Sequence, residues 1–157
     1  MPRSYKSTEV HLAGDPRYGS KLASKIINQI MLDGKKVTAQ RLFYHAIDTV
    51  VAKVEAEDAV EVFTRAIDNI KPRVEVRSKR VGGATYQVPR EVNKRRQQSL
   101  AIRWLIEAAR SKRGKPMGKS LAEEIFDAFN NQGAAVTKKE NVHKMAEANS
   151  AYSHFAW

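Results

Sequence analysis

The stretch RSKRVGGATYQVPR, residues 77–90, decides the fold because it interrupts an otherwise helical pattern. Val74 and Val76 alternate with charged residues just before it, and Gly82 and Gly83 separate two runs of β-forming residues. Two glycines between alternating runs are typical of a two-residue hairpin turn, which needs left-handed backbone angles. The sequence therefore predicts a β-hairpin over residues 73–89.

Apolar residues recur at helical spacing on both sides of this hairpin. Helices are predicted over residues 20–32, 38–54 and 92–110, and a further one opens with the capping pair Asp58 and Glu61 and ends before Pro72. Two more capping boxes predict helices that end near Asn131 and Asn149; they are Ser120 with Glu123 and Thr137 with Glu140. We therefore expect a mainly α fold, with about six helices in a bundle-like core and one protruding basic β-hairpin between the third and fourth helices.

Length and composition are those of one globular domain. The chain has 157 residues, of which 42% are hydrophobic, so it can bury a core. No linker rich in Pro, Gly or Ser divides it, and we expect a single domain over residues 1–157 with a basic N-terminal arm (1–17), the hairpin extension (73–89) and an aromatic C-terminal tail (150–157). The absence of cysteine excludes disulfides and thiolate metal sites.

Positive charge is concentrated in the middle of the chain. The formal net charge is +11, and residues 71–96 contain nine basic and two acidic residues, while residues 103–119 contain six basic residues and one acidic residue. Charges that serve only solubility are mixed and dispersed. This concentration therefore indicates one face that binds a polyanion or an anionic surface.

The basic hairpin has two interpretations. A two-stranded ribbon is marginally stable alone, so it must pack on the helices or gain support from a partner. Arginines supply planar forks for phosphate, glycines let a ligand approach the backbone, and Tyr86 offers a stacking face, which favours RNA or DNA as the partner. The alternative is a solvated hairpin whose charges only discourage edge pairing, but edge protection does not require the following helix to be basic as well.

Motifs for catalysis or metal binding are weak. In RGKPMGKS, residues 113–120, only three residues separate Gly114 from Gly118, so the spacing of a phosphate-binding loop is missing and a basic turn that caps a helix is predicted. The four histidines do not have the paired spacing of zinc hydrolases. Adjacent Glu123 and Glu124 would point about 100° apart on a helix, which does not suit a catalytic pair. We expect no enzymatic activity, no cofactor and no metal site.

The C-terminal segment MAEANSAYSHFAW is unusual because it ends in Tyr152, Phe155 and Trp157. Two interpretations stay open. The aromatic residues dock onto the core of the protein itself, or they anchor the chain to RNA or to a protein partner.

Five blocks of sequence carry a family resemblance. They are LDGKK (32–36), KPRVEVRSKRVGGATYQVP (71–89), LAIRW (100–104), EAAR (107–110) and NVHKMAEAN (141–149). In their order and spacing, and with the closing aromatic tail, these blocks resemble the small-subunit ribosomal protein seven family of the bacterial and organellar type. The resemblance spans essentially the whole chain.

That resemblance implies a structural protein of the small ribosomal subunit. Members of the family are helical proteins with a protruding β-hairpin that bind the head domain of small-subunit ribosomal RNA directly and early, and they help to organise that domain. They are not enzymes. The resemblance further implies neighbouring ribosomal proteins as partners and a cytoplasmic location in the ribosome, or the organelle interior for an organellar copy. Regulation of its own messenger RNA is a role that the sequence leaves open.

The resemblance and the concentration of charge together predict which residues contact RNA; the resemblance implies the arm, Lys35, Lys36, the hairpin and the start of the fourth helix. The predicted ribosomal RNA ligands are Arg3, Lys6, Lys35, Lys36, Arg73, Arg77, Arg90, Lys94, Arg95, Arg96, Arg103, Arg110, Lys112, Arg113, Lys115 and Lys119. The hairpin tip is expected near exit-site tRNA and messenger RNA, with the C-terminal helix and tail approaching tRNA and a neighbouring protein. The residues of this second set are Lys79, Arg80, Val81, Gly82, Gly83, Tyr86, His143, Lys144, Tyr152 and Trp157.

Two other classes of binding protein share part of the pattern. A DNA-binding module would have a helix-turn-helix or a two-fold interface, and neither is clear in the sequence. A membrane-surface protein would have a helix with a basic face and a large apolar face, which the fourth helix partly has. The family blocks favour RNA, and we expect neither a membrane nor a DNA partner.

Overall fold

Six α-helices and one β-hairpin follow each other in residues 11–55 and 58–155, the part of the chain that this computed structural model describes. The elements are α1 (Lys21–Ile30), α2 (Lys36–Val54), α3 (Ala59–Ile70), β1 (Val74–Val81), β2 (Ala84–Glu91), α4 (Lys94–Ser111), α5 (Met117–Phe129) and α6 (Ala134–Ala148). A 3-10 helix (Ser150–Phe155) follows α6. The predicted mainly α fold, with a hairpin between the third and fourth helices, is confirmed.

The helices share one hydrophobic core, which their apolar stripes form. Helix α5 packs against α2, α3 and α4, and its Leu121 and Ile125 are almost completely buried. Phe43 of α2 and Phe63 of α3 are equally buried, and their rings meet edge to face with centroids 5.8 Å apart. Aromatic pairs favour this geometry because the positive ring edge meets the negative ring face. The core therefore fixes α2 and α3 against each other and against α5.

Three of the helix ends follow the local rules. The side chain of Ser20 accepts a hydrogen bond from the backbone of Ala23, and that of Asp58 accepts one from Val60, so both residues cap helices. The cap at Asp58 was predicted, whereas Ser20 was predicted only as the first residue of its helix. Helix α3 ends at Ile70, two residues before Pro72.

Helix α5 begins three residues before its predicted cap. The sequence predicts that Ser120 caps this helix, but Pro116 holds the cap position and Ser120 is buried inside the helix. The backbone N–H groups of Lys119 and Ser120 donate to the Pro116 carbonyl. Gly118 packs so closely against α2 that a β-carbon there would lie 3.3 Å from Cδ2 of His45. The start of the helix is therefore determined by contact with α2, which a capping-box pattern does not contain.

Helix α6 also begins earlier than predicted. Thr137, the predicted cap, lies within the helix and donates its hydroxyl hydrogen to the Gly133 carbonyl. The free N–H of Ala135 in the first turn instead donates to the Glu124 carboxylate of α5, at 2.9 Å. A side chain of another helix thus takes the place of a local cap, and the spacing rule therefore misplaced the helix start.

The hairpin has the predicted two-residue turn. Val81 pairs with Ala84, and the two glycines between them have φ angles of 57° and 89°. Such positive angles are required at both positions of the turn type that matches the strand twist. The hairpin packs against α6 and β2 contacts the 3-10 helix, so the ribbon obtains its support from the chain itself.

Candidate nucleic-acid interface

The hairpin base and the start of α4 meet at one carboxylate. Glu75 of β1 accepts hydrogen bonds from Nε of Arg77 at 2.9 Å and from Nε of Arg96 at 3.3 Å. The Glu75 side chain is 12% exposed, whereas the Arg77 and Arg96 side chains are 47% and 40% exposed. Because only Nε of each arginine is bonded to Glu75, the terminal nitrogens can bind phosphate. Glu75 therefore positions two cations that come from different elements.

Other cations surround this junction. Arg90 pairs with Glu75 across the hairpin and is exposed, as is Lys94 in the first turn of α4. The Asn93 side chain caps α4 by accepting from the Arg96 N–H at 2.9 Å, and the backbone of Val92 donates to Arg73 at 3.0 Å. The hairpin base is thus tied to α4 by backbone and side-chain bonds as well as by charge.

Three arginines follow one side of α4 away from the hairpin. Arg96, Arg103 and Arg110 are seven residues apart, so successive side chains differ by only about 20° around the helix. Arg103 is exposed, and Nη2 of Arg110 donates to the carbonyl of Ile30 at the end of α1, at 3.1 Å. Helix α4 has 18 residues. At ~1.5 Å per residue, the line from Arg96 to Arg110 carries positive charge over roughly 21 Å of this helix.

The turn between α1 and α2 lies at the far end of this line. Positive φ angles at Asp33 and Gly34 close the turn, and the Lys35 N–H donates to the Leu32 carbonyl at 2.9 Å. Lys35 and Lys36 are exposed. The "basic strip" therefore consists of Arg77, Arg90, Lys94, Arg96, Arg103, Arg110, Lys35 and Lys36.

Two predicted RNA ligands are instead held by acidic residues of α5. Nζ of Lys112 lies 3.1 Å from Glu124, 3.7 Å from Asp127 and 3.8 Å from Glu123. Nζ of Lys115 lies 2.7 Å from Glu123, and its hydrogen bond lowers the pKa of that carboxyl. The structure thus gives both lysines partners within the protein and does not bring them into the basic strip.

The remaining predicted ribosomal RNA ligands have varied positions. Arg73, Arg113 and Lys119 are exposed, and Arg95 lines a groove between α1 and α4. Arg3 and Lys6 lie outside the described residues, as does Trp157.

The C-terminal tail docks on the hairpin. The Tyr86 ring of β2 lies 5.1 Å from that of Tyr152 and 5.3 Å from that of Phe155, measured between centroids. Nζ of Lys79 donates to the Phe155 carbonyl at 2.9 Å. The described aromatic residues of the tail therefore pack on the protein itself, although on the hairpin and not on the helical core. Binding of these residues to RNA stays a prediction.

The other residues of the tRNA set lie around the same ribbon. Arg80, Gly82 and Gly83 are exposed at the tip, where Val81 is half-buried, and Lys144 is exposed on α6. Their proximity to tRNA or messenger RNA stays a prediction.

His143 of α6 connects that helix to the start of the hairpin. Its Nε2 accepts the backbone N–H of Arg73 at 3.0 Å, so the ring is neutral there and carries its proton on Nδ1. Burial lowers the pKa of His143, and the nearby charges of Lys139 and Arg73 lower it further. The family resemblance implies that His143 lies near tRNA, which stays a prediction, and the structure adds a role in positioning the hairpin.

The positioning role of Glu75 was not predicted from the sequence. The contact of Glu75 with Arg77 could have been predicted, because strand alternation places these two residues on the same face of β1. The contact of Glu75 with Arg96 could not be found in this way, since the two residues lie 21 positions apart.

Residues 11–55 and 58–155 contain neither a metal-binding cluster nor a membrane-spanning helix. No cluster of three or more His, Asp or Glu side chains suited to a metal ion occurs there. None of the helices in these ranges has the length and apolarity needed to cross a bilayer.

Comparison with known proteins identifies the family. The model of the family described as ribosomal protein S7p/S5e matches residues 2–150. The small ribosomal subunit protein uS7 of Rhodopirellula baltica is 59% identical over 152 residues, which are 96% of this chain and 97% of that protein. The protein of the same name from Thermotoga maritima is 50% identical over 155 residues, or 99% of each chain. With a match of this extent and a hairpin and helices in the predicted order, the chain belongs to the ribosomal protein S7p/S5e family.

Proposed function

We propose that this protein is a structural component of the small ribosomal subunit that binds small-subunit ribosomal RNA directly and organises the head domain. The observation that carries the proposal is the junction at Glu75, which holds Arg77 of the hairpin and Arg96 of α4 at one place. The family match supports RNA as the polyanion, because the relatives are named as proteins of the small ribosomal subunit.

The mechanism is positioning by a rigid cationic surface. Phosphate contacts fix the register and orientation of a nucleic acid, while sequence in RNA is read mainly at unpaired bases. The basic strip has its cations on a hairpin, a long helix and a tight turn, and each of these elements is fixed to its neighbour by hydrogen bonds. A folded RNA junction whose phosphates match this spacing therefore binds without reordering the protein.

The finer parts of the function follow from the family resemblance. We propose that the hairpin tip and the tail lie near exit-site tRNA and messenger RNA, and that the tail also meets a neighbouring ribosomal protein. The protein acts as one domain without enzymatic activity, in the ribosomes of the cytoplasm or of an organelle. The exposed charge at the tip and the tail that is docked on the hairpin support this arrangement.

The test is binding of the purified protein to the isolated head domain of small-subunit ribosomal RNA, with tRNA and duplex DNA as competitors. If six to eight cations bind phosphate, the log-log dependence of affinity on salt has a slope of roughly −4 to −7. Binding that survives both competitors supports the proposal. Equal binding of all three nucleic acids, or a flat response to salt, would reject it.

A matched pair of variants locates the interface. Arg103→Ala removes a cation of the basic strip that neither caps a helix nor pairs with an acidic side chain. It should reduce the steepness of the salt slope by about 0.7 to 0.9. Lys115→Ala removes a cation whose partner is Glu123, and should leave the slope unchanged. Equal changes for the two variants would show that charge acts without regard to position.

A further inference from the structure

A closed loop precedes α1 and takes in the last residues of the predicted N-terminal arm. This "Asp15 loop" consists of residues 13–20, AGDPRYGS. The N–H of Asp15 donates to the Ser20 carbonyl at 3.2 Å, and the N–H of Gly19 donates to the Asp15 carbonyl at 2.7 Å. A β-carbon at Gly14 would collide with the carbonyl oxygen of Gly19, so the two sides of the loop touch. The segment is therefore closed by its own backbone.

The centre of the Asp15 loop is a buried carboxylate. Asp15 is only 3% exposed. Its Oδ2 accepts from the N–H groups of Arg17 and Tyr18, at 3.0 and 3.2 Å, and its Oδ1 accepts from the hydroxyl of Tyr44 in α2, at 2.8 Å. These bonds replace the water that a buried carboxylate loses. One side chain thus closes the loop and also joins it to α2.

Two further contacts fix the Asp15 loop to the helices. The Ser24 hydroxyl of α1 donates to the carbonyl of Ala13 at 2.8 Å. Both terminal nitrogens of Arg17 donate to the Asp48 carboxylate of α2, at 3.0 and 2.7 Å. The last basic residue of the predicted arm is therefore bound within the protein and serves to hold the loop.

The Asp15 loop also determines where the preceding chain meets the helices. Leu12, directly before the loop, lines the groove between α1 and α4. Helix α4 carries three arginines of the basic strip, which are Arg96, Arg103 and Arg110. The chain that connects Arg3 and Lys6 to the helices is therefore attached next to the element that contributes most to the strip.

We propose that Asp15 is a positioning residue for RNA binding, which holds the attachment of the basic arm beside α4 so that Arg3 and Lys6 bind the same RNA as the basic strip. This inference rests on the proposed function and on the predicted contact of these two cations with RNA. A second group on the same chain binds at an effective concentration that falls roughly as the −3/2 power of the tether length. Opening of the loop moves the attachment of Lys6 from Ala13 to Lys21, which roughly doubles the tether and lowers the effective concentration about threefold.

The test compares full-length Asp15→Ala with the wild type, and repeats the comparison in a background that carries Arg3→Ala and Lys6→Ala. Affinity for the isolated head domain RNA is measured in all four proteins. Asp15→Ala should weaken binding about threefold when the arm cations are present and should not weaken it when they are absent. Removal of a carboxylate would by charge alone strengthen binding to a polyanion, so a loss of affinity has the opposite sign to a charge effect.

A matched pair of tyrosine variants keeps the test decisive if Asp15→Ala does not fold. Tyr44→Phe removes the hydroxyl that joins Asp15 to α2, whereas Tyr18→Phe removes a buried hydroxyl that has no hydrogen-bond partner in the described part of the chain. Tyr44→Phe should accelerate hydrogen exchange at the N–H of Gly19 and weaken RNA binding only when the arm cations are present. Tyr18→Phe should behave like the wild type in both measurements.

The outcomes separate the two proposals. If Asp15→Ala and Tyr44→Phe weaken binding equally with and without the arm cations, the loop serves the fold alone, so the inference is overturned and the proposed function stands. Wild-type affinity of both variants, or of the variant that lacks only Arg3 and Lys6, overturns the inference as well. If the wild type shows no preference for head domain RNA over duplex DNA, both proposals fail.

Discussion

Replacement of Lys112 by methionine should destabilise the fold while leaving the electrostatic contact with RNA intact. Glu124 is fully buried, and its carboxylate accepts from the N–H of Ala135 and lies 3.1 Å from Nζ of Lys112. Methionine keeps most of the length of the lysine side chain but removes its charge. The variant therefore leaves a buried carboxylate without its cation.

The size of the effect follows from burial. Removal of one partner of a fully buried ion pair costs about 3–5 kcal/mol. Lys112 is 28% exposed, so water partly screens the pair, and we expect a reduced loss of about 2–3 kcal/mol. For a chain of this length, each kcal/mol lowers Tm by about 2–4 °C, which gives a decrease of roughly 4–12 °C.

The assay compares Lys112→Met with Arg113→Met in urea unfolding and in RNA binding across salt concentrations. Arg113 is exposed, so its loss should barely change stability. The added substitution Glu124→Gln should restore part of the stability lost in Lys112→Met, because it removes the uncompensated charge. Equal stability of Lys112→Met and Arg113→Met, or a flatter salt slope for Lys112→Met at a temperature where it is folded, would refute the reasoning.

Three further predictions concern the elements around the hairpin and α6. Gly133→Ala should destabilise the protein by more than ~1 kcal/mol in urea unfolding, because φ is 93° and a β-carbon would lie 2.9 Å from a neighbouring side chain. Gly114→Ala is the control for backbone strain alone, because φ is 79° there and no atom lies near the added β-carbon. Equal losses of unfolding free energy in the two variants would contradict a clash at Gly133. Burial lowers the pKa of His143 below 6.5, so the contribution of this residue to stability is complete above pH 6.5 and is lost as the pH falls toward the folded-state pKa. His143→Gln should therefore reduce the difference in unfolding free energy between pH 7.5 and pH 5.5. An unchanged difference would exclude this histidine as its cause. Tyr86→Ala should accelerate hydrogen exchange in the C-terminal 3-10 helix because it removes the ring on which Tyr152 and Phe155 pack, whereas Thr85→Ala, on the opposite strand face, should not. Equal exchange rates in the two variants would mean that the docking of the tail does not depend on Tyr86.

Local rules worked where one short segment contains all the interacting groups. The two-residue turn at Gly82 and Gly83 needs only left-handed angles, and the Ser20 and Asp58 caps use groups within three residues of each other. Such features depend on nearest neighbours, so spacing predicts them. The same rules misplaced the starts of α5 and α6, because Gly118 packs on α2 and Glu124 caps α6 from another helix.

The candidate site shows the same division. The concentration of cations in residues 71–119 is visible in the sequence alone, and it predicted that the hairpin and α4 carry the nucleic-acid interface. The positions of the cations along the chain could not distinguish Arg103, which is exposed, from Lys112, which lies among three carboxylates. That distinction depends on residues of α5, which fold against the end of α4.

By itself, the sequence determined the class of fold, the hairpin and the type of partner that a strongly basic surface binds, because periodicity, turn chemistry and net charge are properties of short segments and of composition. The tertiary structure decided which cations share one surface and which are neutralised within the protein. It also decided where the aromatic tail docks and that a groove lies between α1 and α4. These features depend on distances between groups that are far apart along the chain, and those distances are fixed only when the helices pack around their common core.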